Sequence, residues 1–153
     1  MVRMEKLSQI ERDVIMILVP PSFETQPWVS GPPLSERRVA LINTAGLILR
    51  HDRPFMVDPD DHYRIIPGDV QANDLILMHP SPGFDRSAFQ RDWNVVFPLD
   101  RLRELAEEGI IGSAADFHYS IGLIMPDAME APAREIAGLL KKDKVDAVLL
   151  LPV

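Results

Sequence analysis

The stretch Lys144-Val-Asp-Ala-Val-Leu-Leu-Leu-Pro-Val153 constrains the fold more than any other. A helix-like segment from Arg134 to Lys142 leads into it, with Ile136, Leu139 and Leu140 at helical spacing and Pro132 suited to its first turn. The order is therefore helix, short turn, apolar strand. A strand that is apolar at consecutive positions offers no face to water, so Val148 to Val153 is expected to be central and covered in a parallel sheet. In open α/β sheets the carboxyl ends of such strands face the ligand crevice. A functional loop is thus expected to follow this strand.

The rest of the chain alternates in the same way. Val39 to Ile42 reads as a buried parallel strand entering the tight turn Asn43-Thr-Ala-Gly46. His51 to Gly68 is rich in Asp, Pro and His without a period, and reads as a loop. Asp74-Leu-Ile-Leu-Met-His79 is a second buried strand, and Asn94-Val-Val-Phe97 a short third one. Asp100 is placed to cap a helix carrying Leu102, Leu105 and Ala106, with Gly109 at its end. Ile110 to Ser113 is a brief extended piece. Strands alternating with helices predict an α/β fold over residues 34–153, a three-layer Rossmann-like sandwich with a mostly parallel sheet. Residues 1–33, with Pro20-Pro21, Pro27 and Pro32-Pro33, predict a proline-rich arm anchored by Phe23 and Trp28.

Composition narrows the function. The apolar runs around Val39 to Leu49 and Val145 to Val153 fall short of the roughly 20 residues that span a bilayer. Sixteen basic against 23 acidic residues give a net charge of −7 with no basic cluster, which argues against a nucleic-acid surface. The N-terminal residues lack the apolar core of a secretion signal, so a cytoplasmic protein is expected. There is no cysteine among the 153 residues, so no disulfide, thiolate metal site or cysteine nucleophile can be built from them. The histidines show no tight ligand spacing, and no metal is expected.

Polar residues at the strand ends carry the candidate chemistry. Thr44 and Gly46 follow the first strand, where a hydroxyl and a small residue suit a ligand, or simply form the turn. His79 ends the second strand as a general acid or a turn partner. Asp85, Arg91, Asp92 and Asn94 follow closely. Arg91 has the planar fork that pairs with a carboxylate, whereas Asp92 and Asn94 also fit as turn-formers. His118 and Tyr119 are placed to reach the same crevice.

Three stretches together carry a resemblance. They are Pro33-Leu-Ser-Glu-Arg-Arg-Val-Ala-Leu-Ile-Asn-Thr-Ala-Gly46, Arg91-Asp-Trp-Asn-Val-Val-Phe-Pro-Leu-Asp-Arg-Leu-Arg-Glu-Leu-Ala-Glu-Glu-Gly-Ile-Ile-Gly112 and Val145 to Val153. They resemble the selenoprotein B family, which includes components of the glycine, sarcosine, betaine and D-proline reductases, and most of all its D-proline-reductase-like branch. The resemblance implies reductive cleavage of a C–N bond in a small amino-acid-type substrate. It also implies other reductase-complex subunits as partners, and a selenocysteine or cysteine directly after Val153 in a longer product. No other cofactor is implied for this chain, although some family partners carry a pyruvoyl group. His79, His118 and Asp92 become the catalytic candidates, and Thr44, Gly46, Asp85, Arg91 and Asn94 the substrate-binding ones.

One stretch departs from the family pattern. Where a His-rich segment resembling Thr-His-x-His-Tyr-Asp belongs, this chain has Met78-His-Pro-Ser-Pro-Gly-Phe-Asp85, so only His79 and Asp85 carry over. Two other readings stand beside the reductase subunit: a non-catalytic α/β binding or complex-forming domain, and a small-molecule hydrolase or lyase using His79, His118 and Asp92. The apolar final strand further predicts a homo-oligomer through exposed surface.

Overall fold

A computed structural model describes residues 4–17, 22, 24–55, 62–79, 84–122, 124 and 128–153. Its organising element is β1 (Arg38–Asn43), whose Ala40 and Leu41 are fully buried. Along one edge, β1 pairs in parallel with β5 (Ser113–Ala114) and then β6 (Phe117–Ile121), which follow one another like a single interrupted strand. Along the other edge lies β7 (Ala147–Leu151), parallel and in register from Val39 opposite Ala147 to Asn43 opposite Leu151. Beyond β6 runs β3 (Tyr63–Pro67), antiparallel to it. A separate antiparallel ribbon joins β2 (Leu47–Leu49) to β4 (Leu75–Leu77). The protein is α/β, but its sheet is mixed.

Two apolar layers cover the sheet. On one face, Leu41, Leu47, Ile66, Trp93, Phe97 and Leu102 form the larger core together with α3 (Leu99–Glu107). On the other, Tyr119 and Ile121 pack with Ile136 of α4 (Glu130–Lys142). Neighbouring positions of β6 serve opposite layers: Tyr119 joins the α4 side, while His118 stands against Phe97 at 5.8 Å. Each large apolar side chain buried here contributes about 1.5–3 kcal/mol.

Several expectations change in the folded chain. Residues 93–95 form a 3-10 turn rather than a strand, because the Asp92 carboxylate accepts from the Asn94 backbone N–H at 2.9 Å. Local turn chemistry there outweighs the β-propensity of Val95 to Phe97. Asp100 does not cap α3; it lies in the first turn, and Asn94 Oδ1 accepts from its N–H at 3.1 Å. Gly109, at φ 69°, ends the helix as expected. The expected loop 51–68 contains β3, which is too short to show a period by itself. β4 belongs to the ribbon and not to the main sheet.

The last strand is the largest correction. Among the described residues β7 pairs with β1 alone, and it leaves Val148 37%, Leu149 45% and Leu150 67% exposed. It is an edge strand, not a central covered one, because no described element packs against its outer side. The N-terminal section differs as well. A short helix α1 (Gln9–Ile17) starts at a reciprocal capping box: Glu11 accepts from the Ser8 N–H at 2.8 Å, and Ser8 Oγ accepts from the Glu11 N–H at 3.3 Å. Trp28 is 86% exposed and anchors nothing, while Phe23 lies outside the described residues. No helix among the described residues is long and apolar enough to cross a membrane.

Candidate functional site

The carboxyl end of β1 is built around a buried amide. Asn43 Oδ1 accepts from Ser120 Oγ at 2.5 Å and from the Ala45 N–H at 3.3 Å, and its Nδ2 donates to the Val96 carbonyl at 3.2 Å. Ser120 Oγ in turn accepts from the Leu47 N–H at 2.7 Å. Both side chains are fully buried, and with every polar atom partnered they hold β1, β6 and β2 in fixed relation. Neither residue stood out in the sequence. The one signal was an amide closing an otherwise apolar strand.

The turn that follows is now fully specified. Gly46 sits at φ 66°; a Cβ there would meet nothing closer than 3.5 Å, so conformation rather than space requires glycine. The N–H groups of Thr44, Ala45 and Gly46 donate to Leu151 O, Asn43 Oδ1 and Ile121 O. With all three engaged inside the protein, the turn presents no backbone cradle for a carboxylate. What it presents is the Thr44 hydroxyl, which accepts from the Val153 N–H at 2.9 Å.

His79 reaches this same edge. The preceding Met78 N–H donates to the Gly46 carbonyl at 3.0 Å, which seats the end of β4 against the turn. The half-buried His79 ring stacks on Phe84 at 4.5 Å, and Arg86 donates to its carbonyl. Thr44, Gly46 and His79 are therefore together, as expected. Asp85 caps the short helix α2 (Arg86–Arg91) by accepting from the Ser87 N–H at 2.9 Å, which holds its carboxyl below the usual range.

Arg91, Asp92 and Asn94 gather elsewhere, in a cleft of about 630 Å³ between β4, α2 and the 93–95 turn. Arg50 and Arg86, which sequence reasoning missed, line it too. Asp100 also borders it. Burial would raise the Asp100 carboxyl, but donation from Asn94 Nδ2 at 3.0 Å, from Trp93 Nε1 at 2.6 Å and from Arg103 outweighs that and holds it low. Asp92 is likewise held low by Asn94. Both are anions at neutral pH.

His118 belongs to neither place. It is fully buried, and its Nδ1 accepts from the Leu41 N–H at 3.0 Å, filling the gap where the parallel ladder is interrupted between β5 and β6. Its proton therefore sits on Nε2, which has no hydrogen-bond partner among the described residues. Burial, reinforced by the charge of Arg103, pushes its pKa down to about 4. A neutral imidazole sealed in the core does not open on the Thr44 edge, so His118 does not share a crevice with Thr44 and His79.

The opposite end of the sheet has a purely structural polar centre. Asp143 pairs with Arg38 at 2.5 Å and accepts from the Asp116 and Phe117 N–H groups, pinning the end of α4 to the β5–β6 junction.

A polar turn at the carboxyl edge of the central strand, with an arginine-lined cleft in the same half of the domain, is the place where α/β sheets commonly bind ligands. Residues 21–152 match the family model for glycine/sarcosine/betaine reductase selenoprotein B, and the chain belongs to that family. It is 37% identical over 120 residues to the D-proline reductase subunit gamma of Acetoanaerobium sticklandii, covering 76% of this chain and 49% of that protein. It is 41% identical over 125 residues to the betaine reductase complex component B subunit beta of Peptoclostridium acidaminophilum, covering 76% and 28%. Against the glycine reductase complex component B subunit gamma of Symbiobacterium thermophilum it is 33% identical over 142 residues, covering 85% and 32%. The chain spans about half the length of these relatives or less. No solved structure gives a significant match.

Proposed function

We propose that this domain handles the substrate in a reductase-complex component that reductively cleaves the C–N bond of a small amino-acid-type compound of the glycine, betaine or D-proline class. The observation that carries this reading is the family match, which runs through β1, the 91–112 stretch and β7. In the overall step the substrate takes up two electrons and two protons, the C–N bond breaks, a C–H bond forms and the amine leaves. In the longer product that the resemblance implies, a selenocysteine or cysteine directly after Val153 is the nucleophile that displaces the amine. A second thiol attacks the resulting adduct, so that the pair is oxidised to a selenide–sulfide or disulfide as the carbon is protonated.

The residues of this chain position and protonate. His79, half-buried at the carboxyl edge, holds the proton for the departing amine, and the Thr44 hydroxyl orients the segment bearing the redox residue. The substrate carboxylate falls to the Arg91 guanidinium, since the backbone donors of the turn are engaged. Asp85, Asp92 and Asn94 fix the loops that carry these groups, and the neutral His118 holds the ladder beneath them. In the longer product, added strands beyond β7 complete a mostly parallel three-layer sandwich in the cytoplasm. Without that cover, the bare β7 edge pairs with a second copy of the chain.

The test is expression of the longer reading frame, with selenium supplied and a dithiol reductant present. Amine release from glycine, betaine or D-proline is expected, and His79→Ala should lower the rate by about 10²–10⁴-fold. A longer product that carries the redox residue yet releases no amine from any of the three leaves the non-catalytic, complex-forming reading in its place.

A further inference from the structure

The cleft beside the carboxyl edge has more positive charge than a single substrate carboxylate requires. Arg50, Arg86 and Arg91 line it, although the chain as a whole carries −7. Other arginines are neutralised within the fold: Arg38 by Asp143, Arg101 by Glu104, Arg103 by Asp100 and Arg134 by Glu130. Arg91 makes no hydrogen bond or ion pair among the described residues. Arg50 donates through Nε to the Asn73 carbonyl, and its two terminal nitrogens make no hydrogen bond among the described residues. Arg86 is engaged differently, its terminal nitrogens donating to the His79 and Phe84 carbonyls.

The acidic members of the lining cancel only part of this charge: the Asp100 carboxylate is already paired with Arg103, whereas Asp92 remains an anion at the cleft. Asp100 also accepts from Trp93 and Asn94, and Asp92 Oδ1 accepts twice from Asn94. Between the arginines the lining mixes the apolar Leu75, Leu77, Phe89 and Trp93 with the polar Asn73 and Gln90. A cleft of about 630 Å³ lies within the ordinary range for organic ligands and well above what glycine fills.

We propose that this cleft takes a dianionic organic ligand, with its negative groups on Arg91 and Arg50 and its carbon body along the Leu75–Leu77 wall. The proposal rests on the reading of Arg91 as a carboxylate partner, and the dianion is a ligand other than the singly charged substrate, competing with it for Arg91. The paired charge comes either from a dicarboxylate or from a phosphate ester; both place oxygens in the planar forks of two guanidinium groups.

Calorimetric titration of the purified protein at low salt with succinate, inorganic phosphate and acetate tests it without any redox chemistry. Succinate or phosphate should bind at least about tenfold more tightly than acetate, which carries a single charge. Arg91→Ala and Arg50→Ala should each weaken the tighter ligand by about tenfold, whereas Arg134→Ala, removing the same charge from α4, should leave it unchanged. Tight succinate with weak phosphate assigns the dicarboxylate; the reverse assigns the phosphate ester. Acetate binding as tightly as both, no binding by either dianion, or insensitivity to Arg91→Ala overturns the proposal. Those failures leave the reductase reading standing, since its test is amine release.

Discussion

β1 and β7 lie side by side, share five registered pairs and have nearly the same composition, Arg-Val-Ala-Leu-Ile-Asn against Ala-Val-Leu-Leu-Leu. Yet Leu41 is fully buried, while Leu150, on the neighbouring strand, is 67% exposed. β1 has partners on both edges and apolar layers on both faces; among the described residues β7 has one strand partner and an open side. The comparison shows that an apolar run fixes strand conformation, whereas burial is conferred by the elements that happen to surround it. It also separates two sorts of leucine, one that holds the fold together and one that waits for a partner.

The sharpest way to break this comparison is to truncate both. Leu41→Ala should cost about 2–5 kcal/mol in urea unfolding, through lost transfer energy and a cavity the sheet cannot collapse. Equal losses from Leu41→Ala and Leu150→Ala would mean that β7 is covered in solution.

A second prediction concerns the ladder beside β1. Folded His118 resists protonation until about pH 4, while the unfolded residue titrates near its ordinary value of 6.5. The unfolded chain therefore binds the extra proton between these values, and stability is full above about pH 6.5 and falls as pH drops to about 4. The loss should approach about 3 kcal/mol over that window. His118→Asn, which keeps an acceptor for Leu41 but does not titrate, should flatten the slope. The depressed carboxyls of Asp100 and Asp143 start to lose their contribution as pH falls through the usual carboxylate value, at the acid end of this window, and go on losing it below.

Asn43→Ala comes next, at about 1–3 kcal/mol, because Ser120 Oγ, the Ala45 N–H and the Val96 carbonyl would be left without their partner in the core. Hydrogen exchange should show the Leu47 region loosening with it. The smallest effect belongs to the edge. Leu150→Lys should change stability by no more than about 0.5 kcal/mol while abolishing self-association measured by light scattering. A parent chain that stays monomeric at high concentration would remove the self-pairing of β7.

Much of this was legible in the residues. Val39 to Ile42, the Ile136-Leu139-Leu140 stripe and the stop at Gly109 rest on local periodicity and local conformation, which short stretches carry in themselves. β6 was not legible, because Phe-His-Tyr-Ser-Ile alternates in a way that makes sense only once Asn43 and Leu41 are present to receive Ser120 and His118. Nor was the exposure of β7, since no residue within a strand records what lies beside it. The approach of the Gly46 turn to the end of β4 at Met78 and His79 followed from strand-end logic. That the N–H groups of the turn are engaged depends on Leu151 and Ile121, both distant in sequence. Arg91, Asp92 and Asn94 share a cleft partly because they are near neighbours, whereas Arg50 enters it only through the ribbon of β2 and β4.

The imidazole that bridges β1 and β6 has a consequence for inheritance. A backbone carbonyl is present at every position whatever codon is used, so the acceptor of an ordinary rung survives any point change. Here one rung is written in a side chain, and a single-base substitution can erase it. That makes the seam at the heart of the domain a place where genetic drift acts on connectivity itself. Position 118 should accordingly be far less permissive in a saturation-mutagenesis survey than Phe117, the partly exposed neighbour that precedes it.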